Sequence, residues 1–455
     1  MELGFDTVGN ATLICYDRGP VLATDPWIAG SAYFGSWRLA YEIPPEQYEA
    51  VSACPYVWFS HAHPDHLNPE SLPLFRHTQI LLPDHVGGRV FRYLQGEGYR
   101  VTVLKDKTWF QVSPRIRVMS IADYNQDAVL LVDIGGQLLV NLNDANAARG
   151  WGQTVRRLVK KYPVAFLLSL TGFGDADMIN FYDEDGNYIL PSAAKRAPVG
   201  KSLAEKMRFF GTRFAIPFSS LHHYQRQDSV WANQYVTTLA DYPVGFDPAA
   251  GELLPAFIRY DCLRQQYTEL NPPPCPDQVY PPEAFGDSWA EPLEKEDIPK
   301  IQRYFRQIEH LQTFLDFIRV RIGGKEVVVE LADGRYQRGI TFEAPRQSFM
   351  TAIEYEIFDD LLIGNFMKTT LHGKLQVPQF RQDFTPYVAK YADNGLAKTH
   401  EELQAYFREY RRRNPVHFLH ATLQRRAADV VRTCFPPESL AYRLCKTAYK
   451  AVHKG

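Results

Sequence analysis

The sequence predicts an α/β fold, and three observations predict it. Short apolar runs rich in β-branched residues recur through the first half, among them 11–17 (ATLICYD), 128–134 (AVLLVDI) and 214–220 (FAIPFSS). Stretches of helical period lie between them, at 151–162 (WGQTVRRLVKKY) and 201–211 (KSLAEKMRFFG). The composition is that of a folded chain, 45% hydrophobic and 22% charged over 455 residues, a length that calls for two or three cores. Strands alternating with helices give a layered sheet–helix domain.

Taken in order, 11–17 and 21–28 (VLATDPWI) flank Arg18-Gly19-Pro20, which reads as a hairpin turn. Residues 56–60 (YVWFS) form a short aromatic strand. The runs 128–134 and 137–144 (QLLVNLND) flank Gly135-Gly136, a strong two-residue hairpin signal. Residues 165–170 (AFLLSL) and 214–220 are further buried strands, and Gly211 is a helix stop. The segment 271–285 (NPPPCPDQVYPPEAF) is too rich in proline for a helix or a central strand and reads as a linker or surface wrap. A helix is expected over 296–318, then strands at 317–324 and 325–334 around Gly323-Gly324, and a helical tail that includes 401–413. The expected division is a metal-binding domain over 1–270, a proline-rich linker over 271–300, and an α+β domain ending in helices over 301–455.

Charge and composition exclude several classes. A net charge of −2 gives no footprint for nucleic acid or an anionic membrane surface. No run of about 18 apolar residues occurs, and the first residues lack the pattern of a signal peptide. Cys15, Cys54, Cys262, Cys275, Cys434 and Cys445 are scattered without a C-x-x-C pair. They read as reduced thiols of a cytoplasmic protein, and their spacing suits neither a zinc ribbon nor a Rieske-type centre.

The chemistry concentrates in Ser60-His61-Ala62-His63-Pro64-Asp65-His66, which follows the strand at 56–60. In extended chain, side chains at i and i+2 point the same way, so His61 and His63 reach one metal. Asp65 and His66, at the bend that follows, reach a neighbouring one. Three imidazoles and a carboxylate in one short loop are a metal-ligand set rather than scattered surface histidines.

H-x-H-x-D-H after a strand resembles the signature of the metallo-β-lactamase superfamily, and 9–27 (GNATLICYDRGPVLATDPW) resembles its opening hairpin. The resemblance covers about the first 240 residues. It implies a four-layer αββα sandwich with two metals at one edge of the sheets, here followed by an α+β C-terminal region. It also implies three further ligands: a histidine, a bridging aspartate and a final histidine. Asp144, at the end of the Gly-Gly hairpin, fits the bridge, since a carboxylate suits two hard cations. His222 or His223 fits the last, with His222 preferred.

The remaining ligand is expected near 121–127, where the chain has no histidine. Asp123 stands at the expected spacing, with Asn125 and Asp127 as alternatives. His61, His63 and a carboxylate make the two-histidine, one-carboxylate set of non-haem Fe(II) oxygenases, although zinc also accepts carboxylates. Three stretches, 141–146 (NLNDAN), 215–235 and 353–371, resemble the CMP-N-acetylneuraminate hydroxylase-like branch, which implies an oxygenase fed from a Rieske centre. With no such motif in this chain, electrons are expected from a separate donor protein, a reductant or the substrate.

The expected function is therefore O2-dependent oxidation of a small metabolite by a dinuclear iron enzyme. A zinc hydrolase of an ester, amide or phosphodiester and a non-catalytic metabolite-binding protein are the alternatives. Asp65, Tyr124 and His223 are the candidate catalytic side chains, with Trp27 also framing the substrate. Tyr224 next to His222, Arg226, Lys201 and the basic stretch 407–426 are weaker candidates, for which packing or solvation is the ordinary role. The glycine-containing 171–177 lacks nucleotide-loop spacing.

Overall fold

The computed structural model describes residues 1–145 and 151–415, together with Leu419 and Leu423. Two mixed sheets face one another. The first has eight strands, in the order Gln266–Glu269, Ile258–Asp261, Leu3–Val8, Thr12–Asp17, Pro20–Thr24, Tyr56–Trp58, Gln79–Pro83 and Arg100–Leu104. The second has seven, in the order Glu252–Leu253, Phe214–Pro217, Ala165–Ser169, Gln137–Asn143, Ala128–Ile134, Ile116–Ala122 and Trp109–Ser113.

The near-continuous apolar strands are explained by burial on both faces. Leu130, Val132 and Ile134 enter the core between the sheets with Phe5, Leu13 and Phe166. Their neighbours Val129 and Leu131 face the helices Trp151–Val159 and Val199–Phe210 through Val155, Leu203 and Met207. On the other side, Val57, Ile80 and Leu82 pack with Val51 of the helix Pro45–Ala53 and Leu94 of the helix Arg89–Gly96. Helix, sheet, sheet and helix are thus stacked as four layers.

Turn chemistry sets the register. Ile134 pairs with Gln137 across Gly135-Gly136. Both glycines have positive φ, 58° and 88°, as a two-residue hairpin requires. A Cβ on Gly135 would also lie 2.6 Å from Leu3 Cδ2, so the turn and its packing both exclude a side chain.

A third sheet, ordered Asn180–Tyr182, Lys368–Gly373, Arg338–Glu343, Phe317–Ile322 and Lys325–Glu330, builds on a separate core around Phe305, Phe342, Phe358 and Phe384. Its edge strand Asn180–Tyr182 comes from the first half of the chain. Likewise Ile258–Asp261 and Gln266–Glu269 close the first sheet beside Leu3–Val8. The proline-rich segment runs as an ordered wrap, bridging Tyr41 at Pro274 and Arg226 at Tyr280.

The helix expected over 296–318 is shorter, Asp297–Arg306, followed by a turn at Glu309–Thr313 and then a strand from Phe317. Ile318, Val320 and Ile322 alternate into the core of the third sheet, and that pairing overrides the helical period. The tail helix runs His400–Arg413, and Thr399 and Glu402 form its capping box. Part of the basic stretch 407–426, together with Cys434 and Cys445, lies outside the described residues. No helix among the described residues is long and apolar enough to cross a membrane.

Candidate metal centre

The parallel strands Pro20–Thr24, Tyr56–Trp58 and Gln79–Pro83 run into loops that carry Asp25, His61–His66 and His85. From the second sheet, Gln137–Asn143 ends at Asp144, and Phe214–Pro217 leads to Ser219 and His222. Asp25, Asn143 and Ser219 all have positive φ, at 42°, 39° and 59°. Such backbone is costly for a residue with a side chain and persists where the surroundings over-determine it. Here it aims three loop ends at one place.

Two groups of three ligating side chains form there. His61, His63 and Asp144 make one, and Asp65, His66 and Asp144 the other; within each, the ligating atoms lie within 4.8 Å of one another. Asp144 is common to both. His66 Nε2 is 3.4 Å from Oδ2 of both Asp65 and Asp144, and His61 Nε2 is 4.0 Å from Asp144 Oδ2. His61 Nε2 and His63 Nδ1 face one another at 2.9 Å.

The opposite ring nitrogens are all held. His61 Nδ1 lies 2.8 Å from Ser60 Oγ, His63 Nε2 is 2.8 Å from Asp359 Oδ2, and His66 Nδ1 is 3.1 Å from Asp25 Oδ2. Asp25 is itself fixed, because its Oδ1 accepts the Ser60 amide at 2.7 Å. A histidine whose outer nitrogen is tied to a hydroxyl or carboxylate presents the inner one to a metal with set orientation. Asp65 is anchored in the same way: the Tyr33 hydroxyl donates to Oδ1 at 2.5 Å and the Asn10 amide to Oδ2 at 3.0 Å. The Ser219 hydroxyl donates to Asp144 Oδ1. Burial and the neighbouring His66 and His63 push His61 well below its ordinary value, so it stands as the neutral imidazole a metal requires. The donor set therefore fits two cations that share a carboxylate.

Asp123, the expected carboxylate, is in neither group. Its Oδ1 takes the Asn125 amide within its own loop, and its side chain lines a small crevice with Lys107, Trp151 and Tyr410. Burial and the nearby Asp127 push it up to about 7. Asp127, the alternative four residues on, is also in neither group but lies near enough to His63 to feel its charge. It stands 3.6 Å from Lys390 Nζ, which is also 3.6 Å from the Asp359 oxygen that holds His63. The loop closes on itself through the Asp123 amide and the Asp127 carbonyl, 2.8 Å apart.

His223 and Tyr124 are also elsewhere. His222–Tyr224 is a strand paired with Trp37–Leu39, so His222 and His223 point to opposite faces. His223 faces outward, 3.4 Å from an Arg38 guanidinium nitrogen and 3.7 Å from Asp277. Tyr124 packs into the aromatic cluster of Tyr391, Tyr406 and Tyr410. His222 is buried under Trp37, whose ring stacks on it at 3.4 Å. Its Nε2 lies 3.2 Å from the Gly174 carbonyl oxygen and its Nδ1 3.5 Å from Asp175, beside the two groups rather than within either. Of the weaker candidates, Arg226 is wholly buried between Asp228 and Asp287, and Tyr224 donates to the Gly174 carbonyl. Both are structural.

Sequence reasoning missed Asp359 and Lys390. Lys390 sits in a wide helical turn closed by a bond from Gly395 N to Lys390 O, 3.0 Å. Burial opposes its charge, but Asp127, Asp359 and Asp144 hold it protonated. Neither residue belongs to a motif; their only signal is polarity inside otherwise apolar helical stretches. A cavity of about 330 Å³ reaches His61 and is lined by Phe59, Leu82, Val90 and Phe91, with Ser60, Asp84, His85, Arg89 and Gln126 among its polar members.

No protein-family model matches the chain. Among curated proteins it is similar to the cytidine monophosphate-N-acetylneuraminic acid hydroxylase of Asterias rubens, 27% identical over 139 residues, or 29% of this chain and 21% of that one. The chain spans less than a third of the length of the curated relatives it matches, from 21% to 31%. Similar solved chains include Igni18, a metallo hydrolase from Ignicoccus hospitalis, with a TM-score of 0.36, 11% identity, and 57% of this chain and 98% of that one covered. They also include CmlA, a diiron β-hydroxylase from Streptomyces venezuelae, with a TM-score of 0.34, 13% identity, and 59% and 54% covered.

Proposed function

We propose that this chain is a dinuclear iron oxygenase that hydroxylates or otherwise oxidises a small metabolite. The observation that carries the reading is the carboxylate-rich surround of His61 and His63. Asp144 is shared between the groups, and Asp127 and Asp359 stand where an all-imidazole site would be neutral. Hard oxygen donors beside two imidazoles favour iron and support its higher oxidation states. Bound irons would supply the redox steps and the seat for O2.

The chain's own residues do the rest. Asp25, Ser60 and Asp359 fix the rings of His66, His61 and His63. Tyr33 and Asn10 hold Asp65, and Lys390 balances the charge of Asp127 and Asp359. The cavity beside His61 takes the substrate, and its volume lies within the range of about 300–1,000 Å³ usual for small-molecule sites. Apolar walls receive a carbon skeleton, while His85, whose Nδ1 has no partner among the described residues, orients a polar group. Placing one oxygen atom of O2 in a C–H bond and reducing the other to water consumes two electrons and two protons. A separate electron-donor protein supplies the electrons.

Element-resolved metal analysis of freshly purified protein, with no metal or chelator added, tests the proposal. Close to two irons per chain, with O2 uptake that depends on a supplied protein or chemical reductant, is the expected result. Two zincs that iron supplementation during expression does not displace, with hydrolysis of a chromogenic ester or phosphodiester, would overturn it in favour of a hydrolase.

A further inference from the structure

A second cavity, of about 510 Å³, lies apart from the metal centre, where the edge of the third sheet meets the first half of the chain. Five of the residues lining it are aromatic: Tyr182, Tyr188, Trp231, Trp289 and Phe366. Tyr188 stands edge-on to Trp231 at 5.5 Å and inclined at 60° to Tyr182 at 5.7 Å, so the rings make a corner rather than a collapsed stack. The Trp289 indole is held in place by donating Nε1–H to Asp228 at 2.9 Å.

The polar lining is selective. Asp228, the carboxylate here, is already committed to two nitrogens of the buried Arg226 at 3.0 and 2.9 Å as well as to Trp289. The cation that lines the cavity is Lys368, whose Nζ lies 5.8 Å from the Trp289 ring, with Glu343 at a loose 3.8 Å on its other side. Asn180 lines the cavity with only 5% of its surface exposed, and its carboxamide brings both a donor and an acceptor to the wall.

We infer that this cavity binds a flat heteroaromatic acid. Its ring would lie against Trp231 and Trp289, its hydrogen-bonding edge would meet the Asn180 amide, and its anionic group would meet Lys368. A neutralised carboxylate and the Lys368 ammonium turn away quaternary ammonium ions, which aromatic cages otherwise attract. The site shares no lining residue with the cavity at His61 and does not depend on the metal reading.

Calorimetric titration of the full chain with nicotinate, nicotinamide and choline tests it. Nicotinate is expected to bind one per chain at sub-millimolar concentration, more tightly than nicotinamide, with no uptake of choline. Lys368→Gln, at a half-exposed side chain, should weaken nicotinate about fivefold and leave nicotinamide unchanged. Trp289→Leu should abolish binding of both, and His61→Ala should leave both intact. Absence of saturable nicotinate binding would overturn the inference. So would choline binding, indifference to Lys368→Gln, or loss in His61→Ala, which would move the nicotinate carboxylate to the metal centre.

Discussion

His63 Nε2 and Asp359 Oδ2 stand 2.8 Å apart although 296 residues separate them along the chain. The C-terminal region therefore reaches into the candidate metal centre and orients one of its imidazoles. Asp359→Ala is expected to weaken metal retention about 10- to 100-fold, as loss of a histidine's outer carboxylate does, and Asp359→Asn to weaken it less. Competition with a chromogenic chelator measures this; unchanged retention in Asp359→Ala would remove Asp359 from the site.

Asp127 and Asp123 are separated by the same assay. Asp127→Asn should lower the metal bound per chain, whereas Asp123→Asn should leave it unchanged, since Asp123 is turned into its own loop. The reverse pattern would restore Asp123 as the carboxylate that replaces the missing histidine.

Lys390 is buried between Asp127 and Asp359, 3.6 Å from each. Removing one partner of a buried charge cluster costs about 3–5 kcal/mol, because the remaining charges stay desolvated and unpaired. Lys390→Met should therefore lower the denaturant midpoint of the metal-free protein. Bound cations would supply part of the missing positive charge, so the deficit should shrink in metal-loaded protein. An equal deficit in both forms would show that Lys390 does not share its field with the metals.

Asp393 gives a pH-dependent prediction away from the centre. It is fully buried, and its Oδ2 accepts from the Tyr304 hydroxyl at 2.9 Å and the Phe358 amide at 3.2 Å. Burial pushes its pKa from an ordinary 3.8 up to about 7. The folded state therefore holds a proton that the unfolded state releases. Stability is full below about pH 4 and falls as pH rises toward 7, by at most about 1.4 kcal/mol per unit. Asp393→Asn removes that slope. Relative to the parent, the variant should melt at higher temperature at pH 8, with the difference shrinking toward pH 4. A difference independent of pH would refute the assignment.

The fold and half of the centre were legible in the chain because their causes are local. The two glycines of a tight hairpin, the apolar runs and the run of His61, His63, Asp65 and His66 act through neighbouring residues. Asp144 was legible because it ends a strand whose hairpin the glycines mark. The helix expected to Ile318 failed because the core of the third sheet claimed Phe317–Ile322. Choosing between His222 and His223 needed the strand's pairing with Trp37–Leu39, which decides the face each imidazole takes.

By itself the sequence named side chains whose chemistry suits a metal and the kind of scaffold that carries them, since ligand chemistry and strand alternation are properties of short segments. Only the tertiary structure brought Asp359 against His63 and set Lys390 between Asp127 and Asp359. Those residues meet through the packing of distant elements, where burial and charge compensation, rather than spacing along the chain, choose the partners.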